Sequence, residues 1–182
     1  MIIGYLIAFV VVIIDIISKV IVMNNMQLGN VIEVIPGFIK FRYVLNTGMA
    51  FSLFDNATGA LFVVSLAASI GFGYLVFRYS DYLKRKTLSI ALAFMLGGTI
   101  GNLIDRFLTM IGLRKGVVDF IELWIGKVNI IGNSTFNLAD AFLVVGCILL
   151  IIDLLILESV KTYNREKQLK ELENNGTEDN SR

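Results

Sequence analysis

Four long apolar runs constrain this chain more than any other feature: Ile2 to Val22, Thr58 to Phe77, Leu88 to Leu108 and Ala141 to Leu157. A helix rises about 1.5 Å per residue, so runs of this length, with a few flanking residues, cross a hydrocarbon layer of about 30 Å. Only 17% of the residues are charged and mean hydropathy is +0.76, values outside the soluble range. The expected fold is therefore an all-α polytopic membrane protein with four transmembrane helices, spanning about 2–22, 58–77, 88–108 and 137–157. Asp55 and Asn56 stand where they can cap the second span. The first run lacks the basic start and small-residue cleavage site of a removable leader, and it reads as a retained span.

Lysine and arginine set the orientation. Arg78, Lys84, Arg85 and Lys86 follow the second run, and Lys161, Arg165, Lys167, Lys170 and Arg182 follow the fourth. The other side has only Lys40, Arg42, Arg114, Lys115 and Lys127. The positive-inside rule puts both termini in the cytoplasm. Asp15 and Lys19, then Asn102, Asp105 and Arg106, then Asn137 and Asp140, all fall in the outer halves of their spans. Polar groups that lipid cannot satisfy mark a functional site by default, and these gather in one leaflet.

Two loops hang over that leaflet. In residues 24–56, Phe38 to Val44 alternates apolar and basic residues after the turn signal Pro36-Gly37, which predicts a small extracytoplasmic β-sheet. It leads into Asn46-Thr47-Gly48-Met49-Ala50-Phe51-Ser52, whose small residues allow close backbone approach. In residues 109–135, the aromatic and apolar stretch Gly116 to Ile125, with Trp124, suits a short interfacial amphipathic segment. Residues 1–158 form one membrane domain, and residues 159–182 a charged cytoplasmic tail whose composition points to disorder at its end.

The residue inventory narrows the chemistry. There is no histidine and one cysteine, which excludes most zinc and thiol sites. Cys147, within an apolar run, reads as a small buried hydrophobe. No cofactor, metal or nucleic-acid partner is expected, since basic residues form no stripe. Catalysis, if present, falls to carboxylates. Asp15 has Lys19 four residues on, the favourable order for a helical ion pair, and Asp105 adjoins Arg106. Asp119 and Asp140 have no basic neighbour in sequence. Two such carboxylates held together share a proton, so one can activate water while the other protonates a leaving amine. The plainer readings are a solvated loop acid at Asp119 and a dipole-favoured helix-start acid at Asp140. A competing function is a small proton- or ion-coupled transporter or channel subunit, with Asp15, Lys19, Asp105, Arg106 and Asp140 as a relay. That relay would need charges at several depths, and the inner half offers little besides Asp153. A non-catalytic scaffold would not need uncompensated aspartates.

Five motifs occur in the order and spacing of one family: Asp15-Ile16-Ile17-Ser18-Lys19, Asn46 to Ser52, Gly97-Gly98-Thr99-Ile100-Gly101-Asn102-Leu103-Ile104-Asp105-Arg106, Val117-Val118-Asp119-Phe120, and Phe136-Asn137-Leu138-Ala139-Asp140. Across residues 15–140 the chain resembles bacterial lipoprotein signal peptidase, also called signal peptidase II. Met49, Thr99 and Ala141 depart from the residues common there. The resemblance implies an aspartic endopeptidase of the bacterial cytoplasmic membrane that cuts prolipoproteins just before a diacylglyceryl-modified cysteine. Asp119 and Asp140 match its catalytic pair. Asn46, Asn102, Arg106 and Asn137 match residues that hold the substrate backbone or the pair, and Asp15, Lys19 and Asp105 match supporting residues. Expected partners are the lipidated substrates and membrane lipids, with the enzyme a monomer and its active site near the outer leaflet. The Lys40/Arg42 ribbon and the Trp124 segment are placed to close over the substrate.

Overall fold

The four apolar runs fold as helices that extend past the runs themselves. The computed structural model describes residues 1–48, 58–132 and 134–179. In chain order the elements are α1 (Ile2–Asn25), β1 (Val31–Ile35), β2 (Ile39–Asn46), α2 (Thr58–Tyr79), α3 (Lys86–Met110), β3 (Val117–Ile125), β4 (Val128–Asn129) and α4 (Leu138–Asp179). All four helices are long and apolar enough to cross a membrane. Isoleucine and valine, poor helix formers in water, dominate α1. In hydrocarbon that propensity is overridden, because only a helix satisfies the backbone within one segment.

The bundle is organised around α3, which packs against α1, α2 and α4. Its inner positions are small, with Ala91, Ala93, Gly97, Gly98 and Gly101 all buried, so the neighbouring helices approach its backbone closely. Outward the pattern reverses. Phe9 and Ile17 on α1, Val63 and Ile70 on α2, and Ile151 and Leu155 on α4 are exposed, which is the surface a lipid solvent requires.

At one end of the bundle sits an antiparallel four-stranded sheet in the order β1-β2-β3-β4. The expected hairpin is present: Gly37 takes a φ of 70° and Phe38 N donates to Ile35 O at 3.0 Å. Buried Val118 and Phe120 fasten the sheet to Val22 of α1 and Leu138 of α4, and the Phe41 and Phe120 rings meet edge to face at 5.4 Å.

Two stretches take a form that composition did not indicate. Residues 117–125, expected as a short interfacial segment, are strand β3, paired with β2 through Asn46↔Val117, Val44↔Asp119 and Ile39↔Leu123. A strand buried on both faces is a near-continuous apolar run, and periodicity alone does not separate it from other apolar segments. The charged tail continues α4 as helix to Asp179; its glutamates, lysines, glutamine and leucines are strong helix formers. Asp55 and Asn56, and Met49 to Ser52 of the second motif, lie outside the described residues.

Candidate active site

The sheet end of the bundle holds two sets of carboxylates, and their partners differ. The first set is neutralised. Lys19 Nζ lies 2.7 Å from Asp15 Oδ2 and 2.7 Å from Asp105 Oδ2, with all three side chains almost fully buried. Asp105 also pairs with Arg114, and Asp15 Oδ1 accepts the Ala139 backbone N–H at 2.9 Å. That N–H belongs to the first turn of α4, where no intrahelical acceptor exists. The helix start and the buried acid therefore satisfy each other. Gly101 makes room for this contact, since a Cβ there would lie 2.6 Å from Asp15 Oδ2.

The Asp15–Lys19 pair is as the spacing predicts, but the suggested Asp105–Arg106 neighbourhood is not a pair. Adjacent helical residues point about 100° apart. Arg106 turns instead towards α2, where its Nη1 donates to Ser65 Oγ at 2.6 Å, and its Nε is buried with no hydrogen-bond partner among the described residues.

The second set is held by amides. Asp119 Oδ1 accepts from Asn137 Nδ2 at 2.7 Å and its Oδ2 from Asn46 Nδ2 at 2.9 Å. Asp140 Oδ1 accepts from Asn102 Nδ2 at 2.7 Å, and its Oδ2 from the Asn137 backbone N–H at 3.2 Å. Asn137 thus touches both carboxylates. It also caps α4, because its Oδ1 accepts the Asp140 N–H at 3.0 Å, so Asn137 and Asp140 form a reciprocal box at positions N-cap and N3. Neither Asp119 nor Asp140 makes an ion pair among the described residues.

Asn102 joins the two sets. Its Oδ1 accepts from Lys19 Nζ at 3.3 Å and from Asn137 Nδ2 at 3.0 Å, which fixes its amide so that Nδ2 faces Asp140. Asn46 is placed by the sheet: the end of β2 crosses Gly116 so closely that a Cβ there would lie 2.9 Å from Asn46 O. Burial pushes the Asp119 carboxyl up to about 7, and the nearby charge of Asp140 pushes it the same way, against the opposing hydrogen bonds from Asn46 and Asn137. A carboxyl that titrates there can hold or release a proton near neutral pH.

Asp119 and Asp140 face a cleft of about 1060 Å³. Asn46, Asn102 and Arg106 share its polar wall, while Val144 and Val145 of α4 give it an apolar side. Arg42 stands on its rim; Arg42 Nε lies 3.4 Å from Glu122 Oε1, and Trp124 Nε1 donates to Glu122 Oε2 at 3.0 Å. Lys40 Nζ sits 4.4 Å from the centre of the Trp124 ring, so the two loop segments anticipated over the site are neighbours in one sheet. At the other end of the bundle, Asp153 is paired with Arg85.

Residues 7–156 match the family model of signal peptidase (SPase) II. The chain belongs to the signal peptidase II family. It is 40% identical over 153 residues to the lipoprotein signal peptidase of Listeria monocytogenes serotype 4a, covering 81% of this chain and 90% of that one. Against the lipoprotein signal peptidase of Bacillus pumilus it is 37% identical over 152 residues, with 84% and 92% covered. Two solved structures, each described as a bacterial membrane enzyme, superpose with TM-scores of 0.73 and 0.69 at 34% identity; they cover 87% and 84% of this chain, and 90% and 92% of their own. This signal peptidase II chain is thus a membrane protease. All nine residues singled out from the sequence lie at the sheet end of the bundle. Arg114, Ser65 and Glu122 join them from outside the five motifs. Glu122 shares its strand with Asp119, Arg114 lies nine residues beyond its partner Asp105 on the loop after α3, and Ser65 sits in a helix with no charge before Arg78.

Proposed function

We propose that this chain removes signal peptides from diacylglyceryl-modified prolipoproteins as an aspartic endopeptidase, with Asp119 and Asp140 as the catalytic pair. The observation that carries this reading is Asn137, which holds both carboxylates at one wall of the cleft while neither has a cationic partner among the described residues. With one carboxyl protonated and the other ionised, the ionised group takes a proton from a water that attacks the scissile carbonyl. The protonated group donates to the developing oxyanion, and the proton returned to the amine nitrogen lets the C–N bond break. Asn46, Asn102 and Asn137 hold the pair in register, and Arg106, whose Nε has no hydrogen-bond partner among the described residues, is suited to a substrate carbonyl.

The cleft's two sides suit a lipidated substrate. Val144 and Val145 offer an apolar wall to acyl chains, and the polar wall meets the peptide. With both termini cytoplasmic, as the distribution of lysine and arginine favours, the pair lies near the outer leaflet of the bacterial cytoplasmic membrane. There a lipid-anchored cysteine confines the bond to be cut. The enzyme acts as a monomer in contact with membrane lipids, the peptidase unit is residues 1–158, and the β2–β3 sheet with Lys40, Arg42 and Trp124 closes over the substrate.

The test is cleavage by purified protein in detergent or liposomes of a prolipoprotein with and without its diacylglyceryl group, followed by the mass of the product. A cut immediately before the modified cysteine, dependent on the lipid, is expected. No cut by folded protein, or equal cutting of the unlipidated form, would overturn the reading.

A further inference from the structure

Arg114 lies outside the five motifs, yet it completes the charge balance of the cluster that adjoins the paired aspartates. The loop after α3 folds back on itself. Gly112 takes a φ of 78°, and Leu113 and Arg114 N–H groups both return to Leu108 O, at 2.9 and 3.1 Å. This turn caps the helix and carries the Arg114 guanidinium back over the last turns of α3 to Asp105. Without Arg114 the buried cluster would hold two carboxylates, Asp15 and Asp105, and one ammonium, Lys19. With it the cluster is neutral.

That balance reaches the reactive pair by a short path. Lys19 contacts Asn102, Asn102 donates to Asp140, and Asp119 feels the charges of both Asp140 and Lys19. The other charged side chain of the cleft wall on α3 is Arg106; on the sheet side Arg42 and Glu122 pair with each other, and Lys115 beside Arg114 is exposed. We infer that Arg114 is a positioning residue of the peptidase, whose positive charge offsets the Asp15–Lys19–Asp105 cluster so that Asp119 and Asp140 share a single proton in the working pH range. This rests on the aspartic reading given above.

The sign follows from charge. Loss of Arg114 leaves a net negative cluster, which disfavours ionisation of the pair and moves both limbs of the pH–rate profile to higher pH. Loss of the Asp105 charge does the reverse. The experiment is the pH dependence of kcat/KM on a diacylglyceryl-modified prolipoprotein for full-length Arg114→Met, Arg114→Lys, Asp105→Asn and the double variant Asp105→Asn/Arg114→Met. We expect Arg114→Met to move the limbs up by about 0.5 to 1 pH unit, Arg114→Lys to keep the parent profile, Asp105→Asn to move them down, and the double variant to return them. A merely structural anchor would lower the rate at every pH, and the double variant would then be no better than Arg114→Met; that result overturns the inference. If Arg114→Met does not fold, an unmoved profile in Asp105→Asn overturns it equally. Asp119→Asn and Asp140→Asn run alongside separate this from the reading beneath it: active forms of those variants would sink the aspartic mechanism, whereas inactive ones with unmoved Arg114 and Asp105 profiles would sink only the role of Arg114.

Discussion

Lys19, the cation shared by Asp15 and Asp105, stands one amide away from Asp140, yet the two pairs of acids are built differently. Asp15 and Asp105 share Lys19, and Asp105 has Arg114 as well. Asp119 and Asp140 receive asparagine amides and a backbone N–H, which orient a carboxylate without neutralising it. A buried ion pair is costly to break because the remaining charge is stranded. Two acids without an ion-pair partner among the described residues cannot both ionise cheaply, and on the proposed reading they share a proton. Position at the sheet end of the bundle is common to both sets, and on the proposed reading the difference in partners separates structure from chemistry.

The largest expected effect breaks the comparison on the chemical side. Asp119→Asn or Asp140→Asn should lower the cleavage rate by at least ~10³-fold, as loss of a general acid or base does, while thermal unfolding stays unchanged or shifts upward because the mutual repulsion is gone. On the structural side, Lys19→Met leaves Asp15 and Asp105 buried without their shared cation. It should cost about 3–5 kcal/mol of stability, read as loss of folded protein in detergent. A smaller effect sharpens the role of the amides: Gly116→Ala pushes a methyl against the Asn46 backbone, and the misplaced amide should reduce kcat by ~10- to 100-fold with little change in unfolding temperature.

The pH dependence follows from Asp119. Its carboxyl, pushed up to about 7 mainly by burial, is protonated below that pH and loses its proton above it. The alkaline limb of kcat/KM, which reports the free enzyme, should fall near pH 7. In the substrate complex further water is excluded, the charged form is penalised more, and the alkaline limb of kcat should lie higher. A kcat limb at lower pH than that of kcat/KM would contradict burial as the cause of the raised Asp119 carboxyl. The smallest effect is expected from deleting the chain after Asn174, distant from the cleft, with the rate held within about twofold of the parent.

What was legible in the sequence follows from which interactions are local. Asp15 and Lys19 are one helical turn apart, so their pairing can be read directly, as can the four spans and the turn at Pro36-Gly37. The ion pair of Asp105 could not, because its partners come from α1 and from a loop that Gly112 folds back, and the adjacent Arg106 points elsewhere. Asn137 and Asp140 were placed on one face by their spacing, but their reciprocal capping of α4 depends on where that helix begins. Strand β3 looks like an interfacial segment in sequence because burial on both faces erases the alternation that marks a strand. Residue type and depth in the spans point to part of the nine candidate residues, and family resemblance to the rest.

The most direct test measures initial cleavage rate and unfolding temperature side by side for Asp15→Asn, Asp105→Asn, Asp119→Asn and Asp140→Asn. The account predicts two patterns. Asp119→Asn and Asp140→Asn keep the unfolding temperature and lose the rate, whereas Asp15→Asn and Asp105→Asn lower the unfolding temperature and retain measurable turnover in the fraction that folds. Full activity in either Asp119→Asn or Asp140→Asn, or a fully stable but inactive Asp15→Asn, would contradict the division between the two sets.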